Sequence, residues 1–205
     1  MLSSSALPAV AILRGLQPEH AETIGLALYD AGFRAIEVPL NRENAFVSIS
    51  ILQQKLPSDC LLGAGTVTAV EQLQQLSEMQ LDLAISPHLD SDLLQSALDK
   101  NLLPMPGMFT PSEAFRAYQL GAKWLKLFPA DSLGVSHFRA MKSVLPTDCK
   151  IVAVGGIDAS NLQSWFDAGI DAVGLGSCLF SEHDSVFQFR QKLENLMIAF
   201  SALEK

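Results

Sequence analysis

Leu120-Gly121-Ala122-Lys123-Trp124-Leu125-Lys126-Leu127-Phe128-Pro129 is a short apolar run closed by a glycine and a proline, with Lys126 flanked by Leu125 and Leu127 inside it. A run of this length between turn residues reads as a β-strand buried on both faces. Side chains alternate along a strand, so Trp124, Lys126 and Phe128 share one face while Leu125 and Leu127 share the other. Lys126 then has two readings. Its stem can pack on the strand with the ammonium reaching water, as expected for Lys123. Alternatively the amine sits between Trp124 and Phe128, poorly solvated, and so tends to the neutral, nucleophilic form.

The same design recurs three more times, in Asp30-Ala-Gly-Phe-Arg-Ala-Ile-Glu37, Met79-Gln-Leu-Asp-Leu-Ala-Ile-Ser86 and Asp167-Ala-Gly-Ile-Asp-Ala-Val-Gly-Leu-Gly176. Each is a helix end, a short apolar strand and then a chemically distinctive residue. Gly32, Gly121 and Gly169 suit the left-handed position that ends a helix. Residues 10–13, 61–65, 102–105 and 151–154 bring the candidate strands to eight. Amphipathic segments separate them: 19–31, then after Glu71, Asp90, Pro111, His137 and Asp158, with a closing helix in 181–205. Thr110-Pro111-Ser112-Glu113 has the form of a capping box with proline at the first helical position. Eight strands alternating with helices in 205 residues predict an α/β chain folded as one compact (β/α)8 TIM barrel over 1–205, with a doubly wound open sheet as the alternative.

Composition narrows the partners. A net charge of −8 with no basic stripe argues against nucleic acid. No apolar run reaches the ~20 residues of a membrane span, and no signal peptide is read at the start. Cys60, Cys149 and Cys178 are an odd number without C-x-x-C spacing, which fits free thiols in a reducing compartment, hence the cytoplasm. His20, His88, His137 and His183 are scattered, with no pair at ligand spacing, so no metal site is expected; His137 and His183 are placed near helix starts.

In a barrel the chemistry gathers at the C-terminal strand ends. Those ends carry Arg14, Glu37, Thr66, Ser86-Pro87, Lys126, Gly155-Gly156 and Gly176-Ser177. The two glycine turns follow the seventh and eighth strands, where backbone N–H groups can approach phosphate oxygens; the plain alternative is two tight turns. Glu37 shares a face with Ala35 and can shuttle protons for the amine, or simply pair with Lys126 or Arg14. Arg14 offers a bidentate site for a carboxylate, with Thr66 as a second donor. A neutral lysine, a carboxyl, an arginine and a phosphate cradle together point to imine chemistry on a small phosphorylated keto acid.

The motifs Ile12-Leu-Arg-Gly15, Ile36-Glu-Val-Pro-Leu-Asn41, Gly63-Ala-Gly-Thr-Val67, Ile85-Ser-Pro87, Lys126-Leu-Phe-Pro129, Ala153-Val-Gly-Gly156 and Gly174-Leu-Gly-Ser177 stand in an order that resembles the class I aldolases acting on 2-keto-3-deoxy-6-phosphogluconate and its galactonate epimer. The likeness runs from about residue 7 to 180. It implies Lys126 as the Schiff-base lysine and Glu37 as the general acid/base. Arg14 and Thr66 would touch the pyruvate portion, Pro87 and Phe128 would line the pocket, and Gly155, Gly156, Gly176 and Ser177 would hold the phosphate. It also implies metal-independent, cofactor-free catalysis by a homotrimer. Gluconate members read Glu-Val-Thr-Leu-Arg at the second strand, whereas Glu37-Val38-Pro39-Leu40-Asn41 lacks that arginine and resembles the galactonate branch, which carries an arginine where Arg14 stands. Cleavage of 2-dehydro-3-deoxy-6-phosphogalactonate is therefore expected, with the gluconate epimer or a non-catalytic phosphosugar-binding barrel as alternatives. Arg42, the next residue, is a candidate for the missing arginine's role.

Overall fold

The computed structural model describes residues 6–203. Strands and helices alternate: β1 (Ala9–Ile12), α1 (Pro18–Asp30), β2 (Ala35–Pro39), α2 (Ala45–Lys55), β3 (Leu61–Gly65), α3 (Val70–Glu78), β4 (Leu83–Ile85) and α4 (Ser91–Asp99). Two short strands follow, β5 (Leu103–Met105) and β6 (Gly107–Met108), then α5 (Pro111–Gln119), β7 (Trp124–Leu127), α6 (Ala130–Lys142), β8 (Lys150–Val154), α7 (Leu162–Asp167), β9 (Ala172–Leu175) and α8 (Val186–Leu203). All strand pairs are parallel, in the order β5-β4-β3-β2-β1-β9-β8-β7-β6.

The two outermost strands of that order, β5 and β6, are separated in the chain by Pro106 alone. The sheet's two edges thus meet within one residue, and the sheet nearly closes on itself as a TIM-like barrel. Met105 O accepts from Ser86 N at 3.2 Å on one side, and Pro106 O accepts from Lys126 N at 2.9 Å on the other. Nine hydrogen-bonded strands therefore stand where eight were expected. The expected strand at 102–105 is carried on to 108 and interrupted at a proline, which has no N–H to give the ladder.

Alternation sets the layers. Val10, Ile12, Ala35, Leu83, Ile85, Met105, Val152, Val154 and Ala172 form the cluster inside the sheet, with Trp124 and Phe128 packed against it. Ile36, Val38, Leu125 and Leu127 point the other way, into the larger core under the helices. The faces read from the sequence for β2 and β7 are the faces observed.

Two helices depart from expectation. Residues 45–55 form a helix for which none was expected, burying Ala45, Ser48, Ile49 and Leu52 at helical spacing. The sixth helix begins at Ala130 rather than after His137, because helical residues resume on either side of Gly134, whose φ of 72° and ψ of 171° break the pattern. His137 consequently lies within the helix rather than at its start. Gly32, Gly121 and Gly169 do adopt the left-handed conformation, at φ 99°, 108° and 86°. Among the described residues, no helix is long and apolar enough to cross a membrane.

Candidate active site

Lys126 points into the barrel from the middle of β7, opposite Gly107 on one neighbour and Val152 on the other. It is only 5 % exposed. Its Nζ lies 4.7 Å from the centroid of the Phe128 ring, so the amine is covered by the aromatic that follows it on the same face. Burial drives its pKa down from the ordinary lysine value; Glu37 opposes this, and the Arg14 guanidinium adds to it. Lys123, two residues before Trp124's neighbour on the outer side, behaves otherwise: its ammonium reaches the surface and pairs with Asp148 at 2.8 Å.

Glu37 is 1 % exposed, on the inward face of β2 between Ile12 of β1 and Gly63 of β3. Gly65 makes room for its carboxyl: a Cβ there would stand 1.5 Å from Oε2. That oxygen has no hydrogen-bond partner among the described residues, and Glu37 forms no salt bridge with Lys126 or Arg14 among them. The simple ion-pair reading of Glu37 is therefore not what the structure contains. Burial pushes its pKa up to about 7, against the pull of Lys126 and Arg14, so it is poised to take and give protons near neutrality.

A cleft of about 310 Å³ opens at the C-terminal ends of β1, β8 and β9, lined by Arg14, Phe128, Gly155, Gly156, Gly176 and Ser177 among others. Phe128 belongs both to this cleft and to the cover of Lys126, which links the open space to the amine. Gly155 and Gly156 adopt φ of 102° and 67°, which side-chain-bearing residues rarely hold. Among the described residues, the N–H groups of Gly156, Ile157 and Ser177 donate to no protein oxygen. Such unpaired donors on two adjacent turns suit an anion.

Six of the ten residues singled out from the sequence line this cleft, and Lys126 and Glu37 lie buried beside it. Thr66 and Pro87 do not line it. Thr66, at φ 54°, follows the Gly65 that accommodates Glu37, and Pro87 packs its carbonyl where a Cβ on Gly107 would stand. Arg14 is exposed and donates to Asn41 Oδ1 at 2.7 Å. Arg42 does not line the cleft; its Nε meets Glu182 Oε2 at 3.0 Å. Phe180, Ser181 and Glu182 do line it and were not anticipated, because they belong to an irregular stretch with no strand to mark an end. No group of three His, Cys, Asp or Glu side chains stands close enough to hold a metal among the described residues.

The parallel barrel places a buried inward lysine and a glutamate poised for proton transfer next to a cleft edged by two glycine turns, which is the layout of an enzyme site. The chain belongs to the KDPG and KHG aldolase family, whose model matches residues 3–189. It is 41 % identical over 196 residues to the probable 2-dehydro-3-deoxy-6-phosphogalactonate aldolase of Rhizobium meliloti, covering 96 % of this chain and 92 % of that protein. It is 38 % identical to the 2-dehydro-3-deoxy-6-phosphogalactonate aldolase of Escherichia coli K12, covering 95 % of each. A solved structure described as native KDPGal superposes with a TM-score of 0.94 at 37 % identity, over 100 % of this chain and 99 % of that one.

Proposed function

We propose that the chain is a class I aldolase that reversibly cleaves 2-dehydro-3-deoxy-6-phosphogalactonate to pyruvate and D-glyceraldehyde 3-phosphate. The observation that carries the proposal is Lys126, an amine 5 % exposed inside the barrel and held toward its neutral form. Neutral Nζ adds to the C2 carbonyl, and the carbinolamine loses water to give a protonated imine. Glu37 takes the proton of the C4 hydroxyl as the C3–C4 bond breaks, its electron pair passing into the imine to leave an enamine. Glyceraldehyde 3-phosphate departs, Glu37 returns the proton to C3, and water hydrolyses the imine to free pyruvate and the amine. Arg14 and Thr66 hold the carboxylate end, Pro87 and Phe128 shape the pocket wall, and the turns at Gly155-Gly156 and Gly176-Ser177 hold the phosphate.

The galactonate epimer is favoured by Asn41, which stands where gluconate-type enzymes carry an arginine and which engages Arg14 at 2.7 Å. The likeness to the two galactonate relatives over nearly their whole length supports the same choice. The proposal includes a single domain over 1–205, an eightfold barrel in which 103–108 counts as one interrupted strand, a homotrimer, and residence in a reducing cytoplasm, which the three free cysteines support.

Borohydride reduction in the presence of pyruvate, followed by peptide mapping, is expected to leave an adduct on Lys126. Lys126→Ala is expected to abolish both adduct and turnover while keeping the circular dichroism of the parent. Retained turnover in that variant would remove Lys126 as the nucleophile, and binding without any adduct would favour a non-catalytic barrel. Comparing kcat/KM for the two pure epimers decides between galactonate and gluconate.

A further inference from the structure

Glu182 poses an electrostatic difficulty for the anion cleft. Its side chain is among those lining the space that Arg14, Gly156 and Ser177 also border. An uncompensated carboxylate there would repel a phosphate dianion, and the stretch that bears it is anchored. Ser181 N donates to Asp184 Oδ2 at 2.7 Å, and Lys192 Nζ reaches Ser177 O at 3.2 Å, Ser181 Oγ at 3.2 Å and Asp184 Oδ2 at 2.6 Å. On the opposite side the turn after β1 presses on it: a Cβ at Gly15 would stand 2.6 Å from Glu182 Cβ and 2.8 Å from Oε2. Glu182 therefore stays at the cleft.

Arg42 supplies the compensation. Its Nε pairs with Glu182 Oε2 at 3.0 Å while its Nη1 donates to Asn41 O at 3.0 Å, so backbone and carboxylate fix the guanidinium from two directions. Asn41 in turn holds Arg14 through its side chain. Arg14, Asn41, Arg42 and Glu182 form one continuous rim with two positive charges and one negative. We propose that Arg42 is a positioning residue for substrate binding. It neutralises Glu182, so that no uncompensated carboxylate faces a phosphate held at the Gly155-Gly156 and Gly176-Ser177 turns, and it acts on the phosphorylated end of the substrate without touching it. The inference rests on the phosphate assignment of the cleft made above.

The pair is half exposed on both sides and contributes little to stability, so Arg42→Gln is expected to fold and melt as the parent does. The test is a double-mutant cycle on the full-length chain, combining Arg42→Gln with Glu182→Gln. Two readouts are used: calorimetric titration with inorganic phosphate, and KM and kcat with phosphorylated and unphosphorylated 2-dehydro-3-deoxy sugar acids. Arg42→Gln should weaken phosphate binding and raise the phosphorylated substrate's KM by roughly tenfold, the scale of one unit charge acting on a nearby dianion close to the surface. It should leave kcat and the unphosphorylated substrate's KM near the parent values, and the penalty should shrink at high salt. Adding Glu182→Gln restores the parent's net charge at the rim, so the double variant should return to the parent's phosphate affinity and KM.

A double variant that binds phosphate no better than Arg42→Gln alone would mean that Arg42 binds substrate directly, and would overturn the proposal. So would an equal rise for the unphosphorylated substrate, or no penalty at all, or a parent that binds no phosphate. If the parent turns over no keto acid yet the phosphate cycle behaves as described, the aldolase reading fails and the compensation stands.

Discussion

Glu37 and the empty space beside Gly65 carry two consequences at the scale of single residues. The first concerns pH. A carboxyl whose folded pKa is raised to about 7 favours folding while protonated, and that contribution is lost as pH climbs from the ordinary value of 4.5 through 7. Glu37→Gln removes the titration. Its stability relative to the parent should rise over that interval by roughly 3 kcal/mol and level off above it, read as the urea midpoint at successive pH values. A flat difference would show that the carboxyl is not raised. The second concerns position. In Gly65→Ala the added methyl must displace the Glu37 carboxyl, since it would stand 1.5 Å from Oε2. A displacement on the ångström scale costs on the order of a hundredfold in turnover, while pyruvate trapping on Lys126 should survive. Both residues were legible in the sequence as candidates, because period-two alternation groups each with one face of its strand; which face turns inward is set by closure of the sheet. Gly65 was legible only as part of a glycine-rich motif. Its purpose is steric, and sequence does not show which side chain occupies a void.

At the level of elements, α5 is the clearest case of sequence stating its own boundary. Glu113 Oε2 accepts from the N–H groups of Phe109 and Thr110 at 2.9 and 2.7 Å, and Thr110 Oγ1 accepts from Glu113 N at 3.4 Å. Burial raises the Glu113 pKa, but the Phe109 N–H, the Thr110 hydroxyl and the Thr110 N–H outweigh it and hold the carboxyl below its usual range. Glu113→Ala should therefore cost about 1 kcal/mol in chemical denaturation with activity unchanged. Elements that failed to announce themselves did so for identifiable reasons. The helix α2 is rich in Val, Ile and Ser, a composition equally at home in a strand, and its start is Asn44 in a left-handed conformation with no side-chain cap. In α6, Gly134 interrupts the backbone, so only the second half read as helical. Glu182 escaped notice because it lies between elements, where neither period applies.

The whole molecule separates its two tasks by end. The proposed chemistry occupies the C-terminal strand ends, while carboxylates stitch the other end. Asp171 accepts from Lys142 at 2.7 Å, Lys150 at 3.0 Å and Ile151 N at 2.9 Å, and Asp82 likewise accepts from Leu62 N at 2.9 Å. Burial alone would raise the Asp171 pKa, but Lys142, the Ile151 N–H and Lys150 together lower it. Its contribution is present above the ordinary carboxylate value of 3.8 and fades as pH falls below it. Asp171→Asn should lower the melting temperature at pH 7, with the deficit narrowing toward pH 3 and kcat little changed. The recurrence of the strand-and-helix unit made this polarity readable in advance; the division of one strand at Pro106 was not, since the proline sits at the junction of the two halves of the ladder. Because Leu103–Met108 borders both β4 and β7, the ring leaves no long unpaired backbone margin onto which a second chain could add a strand. A protein closed in this way is guarded against templated fibre growth while native, so its insoluble deposits should form only from chains that have first come undone.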